Sequence, residues 1–144
     1  PNALYKSNLE KYFLKKGDVL FNAKGRRFFA VTYDGEYQNA VPGSSFHVLK
    51  VVKDFVNPDY LVWFLNHPEI MKEFNKKALT QNMPMVTKSE LEDLTITIPP
   101  IEIQNKIVGL DTVNRKKNRI QKQLIKLNET LINSITYIKI KNEY

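Results

Sequence analysis

The chain has 144 residues, which suits one domain with an appended element, since domains usually contain about 100 to 200 residues. It contains no cysteine and two isolated histidines, so disulfides, thiolate chemistry and a recognisable metal site are excluded, and no cofactor is expected. No apolar run approaches the ~20 residues of a membrane span, and the N-terminal residues lack the pattern of a secretory signal. We therefore expect a cytoplasmic protein.

The net charge of +7 suggests a polyanionic partner, but the charge is unevenly distributed. Residues 1–100 carry 13 basic and 11 acidic side chains, whereas residues 101–144 carry 9 and 4. Nucleic-acid binding by the first hundred residues would therefore have to use local clusters of cations rather than bulk charge.

The first part of the chain is typical of a small β-rich unit. Glycine-containing turns separate short stretches of β-branched and aromatic residues. The turns are expected at Lys16-Gly17-Asp18, Lys24-Gly25 and Asp34-Gly35, and the strands at Val19–Phe21, Phe28–Val31 and Val48–Val52.

Two short helices and a further strand are predicted next. Asn57 is a capping candidate for a helix from Asp59 to about Asn66, and His67-Pro68 separates it from a second helical segment, Glu69 to Lys77. Leu94–Ile98 alternates apolar residues with threonine, the pattern of a half-buried strand. Pro99 and Pro100 then end the strand and begin a helix.

From Ile101 to about Ile138 the apolar residues follow a heptad period. Seven of nine a and d positions are apolar, and Lys117 and Ser134 interrupt them. A helix of ~38 residues would be ~57 Å long, so it should protrude and require a partner that covers the apolar stripe formed by its a and d positions. The predicted seam consists of Leu110, Val113, Ile120, Leu124, Leu127, Leu131 and Ile138.

Four segments, in this order, resemble the target-recognition half of a type I restriction-modification specificity subunit. They are a Lys-Gly-Asp turn and strand, a helix of the Tyr-Leu type, a polar loop, and a strand with a proline pair and helix start. In this chain they are Leu14–Asn22, Asn57–Asn66, Thr80–Val86 and Leu91–Val108.

The resemblance implies an α+β fold, with a small β-rich target-recognition domain at 1–99 and a long protruding coiled-coil-type helix at 100–144. About a dozen residues precede the Lys-Gly-Asp turn, fewer than is usual in the family, so the first domain is expected to be reduced or completed elsewhere. The resemblance also implies a non-catalytic subunit that directs methyltransferase and restriction subunits to a bipartite site in double-stranded DNA. The helix would pair with an identical helix, with a second specificity half, or partly with the methyltransferase subunit.

Two polar clusters are candidates for DNA contacts. Lys24, Arg26 and Arg27 lie at a glycine-containing turn, where they could reach phosphates or guanine; the alternative is a solvated hairpin tip. The second cluster combines phosphate-type donors with amides suited to adenine; the alternative is a helix C-terminus followed by a polar loop. It consists of Lys76, Lys77, Gln81 and Asn82.

Two other functions compete with DNA recognition. The balanced charge of residues 1–100 favours an interaction module that docks a partner through the long helix without touching DNA. Asn57-Pro58-Asp59-Tyr60 differs by one residue from the Asn-Pro-Pro-Tyr motif of amino-methyltransferases, but no glycine-rich loop is present to hold a methyl donor. We therefore interpret Asn57 as a helix cap, both histidines as structural, and Tyr60, Trp63 and Phe64 as core residues.

Overall fold

The computed structural model describes residues 10–51, 54–78 and 82–143, and shows an α+β fold, as predicted. Contacts divide the chain into two units, Pro1–Val108 and Gly109–Tyr144. Within the described residues a 3-10 turn at Glu10–Tyr12 precedes three strands and four helices. The elements are β1 (Val19–Asn22), β2 (Phe29–Thr32), β3 (Phe46–Leu49), α1 (Pro58–Leu65), α2 (Pro68–Ala78), α3 (Lys88–Glu92) and α4 (Ile101–Glu143).

The three strands form one antiparallel sheet in the order β2-β1-β3. Phe21 of the central strand pairs with Ala30 on one side and His47 on the other. Val19 and Phe21 are completely buried while Leu20 and Asn22 are only partly covered, which is the alternation expected of a strand with one face on the core. The first two predicted strands are confirmed to within one residue at each end, whereas β3 overlaps the third, Val48–Val52, only at Val48 and Leu49. Lys50 and Val51 belong to no strand, and Val52 lies outside the described residues.

Helix α1 covers the free edge of β2. Asn66 accepts the backbone N–H of Ala30 at 2.9 Å and donates to its carbonyl at 2.8 Å, so its amide pairs with the strand as another backbone would. The hydroxyl of Thr32 also donates to the Asp59 carboxylate at 2.6 Å. The core of the unit lies between the sheet and helices α1 to α3. Its buried apolar members are Val19, Phe21, Ala23, Phe28, Ala30, Leu61, Val62, Leu65, Phe74, Val86 and Leu91.

The predicted strand Leu94–Ile98 is wrong. These residues belong to no strand, although Leu94 and Ile96 pack against the core while Thr95 and Thr97 are exposed. The alternation therefore reflects one-sided burial of an extended segment without a ladder. The hydroxyl of Tyr60 donates to the Thr97 carbonyl at 2.7 Å, and burial raises the pKa of this phenol above its usual value.

Helix α3 is an element that the sequence interpretation missed. Thr87 accepts the backbone N–H of Glu90, and the Glu90 carboxylate accepts the N–H of Thr87, so the two residues form a capping box. The Thr-x-x-Glu spacing is visible in the sequence, but the helix is only five residues long and carries no periodic stripe that would announce it.

The predicted long helix is confirmed as α4, which begins directly after the proline pair and is 43 residues long. No described helix has the length and apolar character needed to cross a membrane. The first turn of α4 is anchored by Gln104, whose side chain is fully buried. The Gln104 amide accepts the N–H of Asn57 at 2.8 Å and donates to the carbonyls of Phe55 at 2.9 Å and Pro99 at 2.7 Å.

Replacing Gln104 with alanine should lower the free energy of unfolding by about 2 to 4 kcal/mol, because a fully buried side chain is truncated and three part-buried hydrogen bonds are lost. Denaturant unfolding of the native chain and the variant measures the difference. Asn105→Ala is the matched control, since it removes only the exposed hydrogen bond to the Asn57 side chain and should cost about 1 kcal/mol or less. Equal losses in the two variants would contradict the anchoring role of Gln104.

Candidate nucleic-acid interface

The turn between β1 and β2 presents three cations on an ordered backbone. Asn22, the last residue of β1, donates through its amide to the carbonyls of Lys24 at 3.3 Å and Arg27 at 2.7 Å, and so joins the two sides of the turn. Gly25 has φ +97°, a conformation that favours glycine. The residues from Lys24 to Arg27 are all exposed, whereas Ala23 and Phe28 on either side are buried.

A second segment, distant in the sequence, is hydrogen-bonded to this turn. Val86 donates its N–H to the Ala23 carbonyl at 2.8 Å, and Gly25 donates its N–H to the Pro84 carbonyl at 3.0 Å. Lys24 and Met85 form an antiparallel bridge between these two bonds. Pro84 and Val86 are buried and Met83 and Met85 are exposed, so the segment behaves as a short strand fragment with one face on the core.

Side chains beneath the turn hold the paired segments in place. The His47 ring is hydrogen-bonded through Nε2 to the Val86 carbonyl at 3.0 Å, which confirms the structural role predicted for this histidine. Phe28, at the end of the turn, stacks on Phe21 with ring centroids 6.5 Å apart, and Phe21 meets Phe74 edge-on at 5.5 Å. Both ends of the turn therefore rest on the aromatic core.

The pairing joins the turn of the first predicted cluster to the segment that follows the second. Asn82 is exposed and lies two residues before Pro84, which accepts the N–H of Gly25 beside Arg26. Lys76 is exposed on α2, and the bonds that join the turn to the Pro84 segment do not involve it. The Lys77 side chain and the whole of Gln81 lie outside the described residues. We define the tip surface as Lys24, Arg26, Arg27, Asn82, Met83 and Met85.

The tip surface is cationic. The ion pairs found within the described ranges join Glu69 to Lys72, Lys88 to Glu92 and Asp111 to Arg115, and none includes Lys24, Arg26 or Arg27. Their charges are therefore not neutralised by an acidic neighbour in this part of the chain. An exposed group of three cations on a fixed backbone suits a phosphate-bearing ligand.

Asn22 and the Pro84 segment are the parts of this site that the sequence interpretation missed. An asparagine just before a glycine-containing turn is a local signal, because its side chain readily bonds nearby backbone groups. No local signal reveals that Pro84 and Val86 pair with this turn.

The residues that resemble an amino-methyltransferase motif have structural roles in this fold. Asn57 caps α1, as predicted, by accepting the N–H of Asp59 at 2.9 Å, and its amide donates to Asn105 at 2.7 Å. Tyr60 is buried in the core, as predicted, whereas Trp63 and Phe64 are only half-buried. The Trp63 ring meets His67 edge-on at 5.6 Å.

In the second unit, the predicted seam of α4 is exposed along its length. Exposed fractions of the seven seam residues range from 53% at Ile120 to 73% at Leu110. Ile125, Ile132 and Ile135 are also exposed, so the apolar stripe is wider in the distal half of α4 than the predicted seam. Such a stripe is typical of a helix that packs against another helix.

Comparison with known proteins gives one family. The sequence model of the type I restriction modification DNA specificity domain matches residues 2–130. A Methanocaldococcus jannaschii protein, named as a specificity subunit of the type I restriction enzyme MjaX, is 29% identical over 129 residues, which are 85% of this chain and 30% of the relative. The type I restriction enzyme HindI specificity subunit of Haemophilus influenzae is 28% identical over 127 residues, 84% of this chain and 26% of the relative.

The chain thus spans less than a third of the length of either of these relatives. The family match covers both the tip surface and the proximal part of α4. The chain belongs to the type I restriction-modification DNA specificity family.

Proposed function

We propose that this chain is a DNA-reading half of a type I specificity subunit and that the tip surface contacts one half of a bipartite site in double-stranded DNA. The observation that carries the proposal is the pairing of the cationic turn with the Pro84 segment. It joins the exposed cationic turn to the segment that follows the exposed Asn82, in a unit whose overall charge is nearly balanced, which supports one shared contact surface.

The residue types of the tip surface suit both parts of DNA recognition. Lys24 can bind a phosphate as a point charge, and so position the unit on the duplex. Arg26 and Arg27 have planar guanidinium groups that match O6 and N7 of guanine, while the Asn82 amide matches N6 and N7 of adenine. Lys76, Lys77 and Gln81 remain proposed contacts outside the paired turn.

The exposed stripe of α4 supports an assembly role. Its apolar side chains would be buried by a second copy of this helix or by the corresponding helix of another specificity half, so that two reading units belong to one complex. We further propose that the chain acts without a cofactor or catalytic site of its own, and that methyltransferase and restriction subunits supply the chemistry.

An interaction module that never touches DNA is the competing function, because the exposed stripe alone would also fit it. Duplex binding measured at two salt concentrations separates the two functions. A DNA reader loses affinity steeply as salt rises and keeps a preference among sequences. An interaction module shows neither behaviour. Mapping the methylated sites produced by the chain with its methyltransferase subunit then gives the sequence that is read, and a bipartite pattern is expected.

Replacing Arg26 and Arg27 together with alanine should weaken duplex binding by the assembled complex at least about tenfold, since each guanidinium contact contributes about 1 to 3 kcal/mol. The slope of log affinity against log salt should fall by about 1 to 2. The melting temperature should stay within a few degrees of the native value, because both side chains are exposed.

The matched control removes two exposed lysines elsewhere in the first unit, Lys72→Ala with Lys106→Ala. The double control has the same net charge as the arginine variant and should bind DNA almost as the native chain does. Native affinity in the arginine variant would remove the turn from the interface. An equal loss of DNA affinity in both variants would show that the turn contributes only nonspecific charge.

Replacing Leu124 and Leu127 with aspartate should separate the assembly, because two charges would be buried at adjacent seam positions. Analytical ultracentrifugation of the native and variant proteins measures the change in mass. Asn118→Asp with Thr136→Asp introduces the same charges on the opposite face of α4 and should leave the assembly intact. An unchanged species in the leucine variant would refute helix pairing through this seam.

A further inference from the structure

Met83 is the most exposed large apolar side chain among the described residues, with 87% of its surface open to solvent. The next residue, Pro84, is buried and accepts the N–H of Gly25, and Val86 is buried and bonded to Ala23. Gly25 is followed directly by Arg26, so the residue after Met83 is hydrogen-bonded next to the backbone that carries the cations.

An exposed apolar side chain one residue from a segment that is bonded to the cationic turn gains little burial in the unbound protein. Burying a side chain of this size is worth about 1.5 to 3 kcal/mol, and at 87% exposure the free chain gains little of that. Asn82, which precedes Met83, and Arg26, which follows the bonded Gly25, are suited to polar base edges, whereas the thioether is not. Met83 would therefore gain free energy from an apolar group within an otherwise polar and anionic ligand.

Duplex DNA offers one apolar group among the base edges of the major groove, the C5-methyl group of thymine. Methionine suits contact with it because its side chain is unbranched, polarisable and adaptable. Resting on the proposed DNA-reading function, we infer that Met83 reads a thymine through its methyl group, next to the bases read by the arginines and Asn82. Met83 is thus a specificity-determining residue of the half-site.

The experiment compares thymine with deoxyuridine, which lacks only the C5-methyl group. The assembled complex with its methyltransferase subunit is titrated with a duplex that carries the mapped methylation site. Each thymine of the half-site is replaced in turn by deoxyuridine. We expect the native protein to lose affinity about fourfold at one position, which is the contribution of one buried methyl group. Met83→Ala should bind the two duplexes within about 1.5-fold of each other.

Two variants separate the methyl contact from other roles of the side chain. Met83→Leu keeps an apolar side chain of similar volume and should retain the preference for thymine, whereas Met83→Gln keeps the length and should lose it. Phe55→Ala is the control, since Phe55 is also a large apolar residue that is 71% exposed but lies outside the tip surface, and this variant should discriminate as the native protein does.

Several results would overturn the inference. A native protein that binds the two duplexes equally, a half-site made entirely of G·C pairs, or a Met83→Ala variant with undiminished preference for thymine would each do so. An equal loss of affinity for both duplexes in Met83→Ala would assign the side chain to a wedge between base steps instead. In all these cases binding to the mapped duplex persists and the proposed function stands, whereas complete absence of duplex binding by the native complex would contradict both.

Discussion

The pairing of residues 23–25 with residues 84–86 is the constraint on which the candidate site depends. Two backbone hydrogen bonds, which define the Lys24–Met85 bridge, join a turn between adjacent strands to a segment that precedes α3. Without them the cationic turn would be an isolated hairpin tip, and ordering its long side chains on a ligand would cost more conformational entropy. With them, the backbone of the tip is already ordered before a ligand binds, and only side-chain rotamers remain to be fixed.

Features encoded by neighbouring residues were predictable from the sequence. The strand after the Lys16-Gly17-Asp18 turn, the capping Asn57 and the long apolar period of α4 each depend on residues a few positions apart, and the structure contains all three elements. The cationic turn was also visible, because Lys24-Gly25 announces a turn and the arginines follow it. Its pairing with Pro84 and Val86 was not visible, because no local pattern specifies which distant segments meet.

Leu94–Ile98 shows the limit of such patterns in another way. A period of two reports that one side of an extended segment is buried, and here that report was correct for Leu94 and Ile96. It cannot report whether a neighbouring strand has an edge available. The β2 edge is occupied by Asn66 and Asp59, and the Thr97 carbonyl is taken by Tyr60, so the segment is extended without joining the sheet.

Gln104 is the polar residue in the helix start that resembles the family pattern, and the hydrogen bonds of its buried amide give a physical reason for a polar residue there. Its three partners, at Phe55, Asn57 and Pro99, are backbone groups around the start of α1 and the start of α4.

The core cluster of the first unit is built from residues 19–96, so its packing is satisfied without the distal stripe of α4. The apolar side chains of that stripe therefore do not stabilise the helix while they face water. A helix with this sequence gains its stability from the surface that it packs against. It follows that substitutions at the tip surface and at the stripe act on different free energies, the first on ligand binding and the second on assembly, and that each can be changed without unfolding the core.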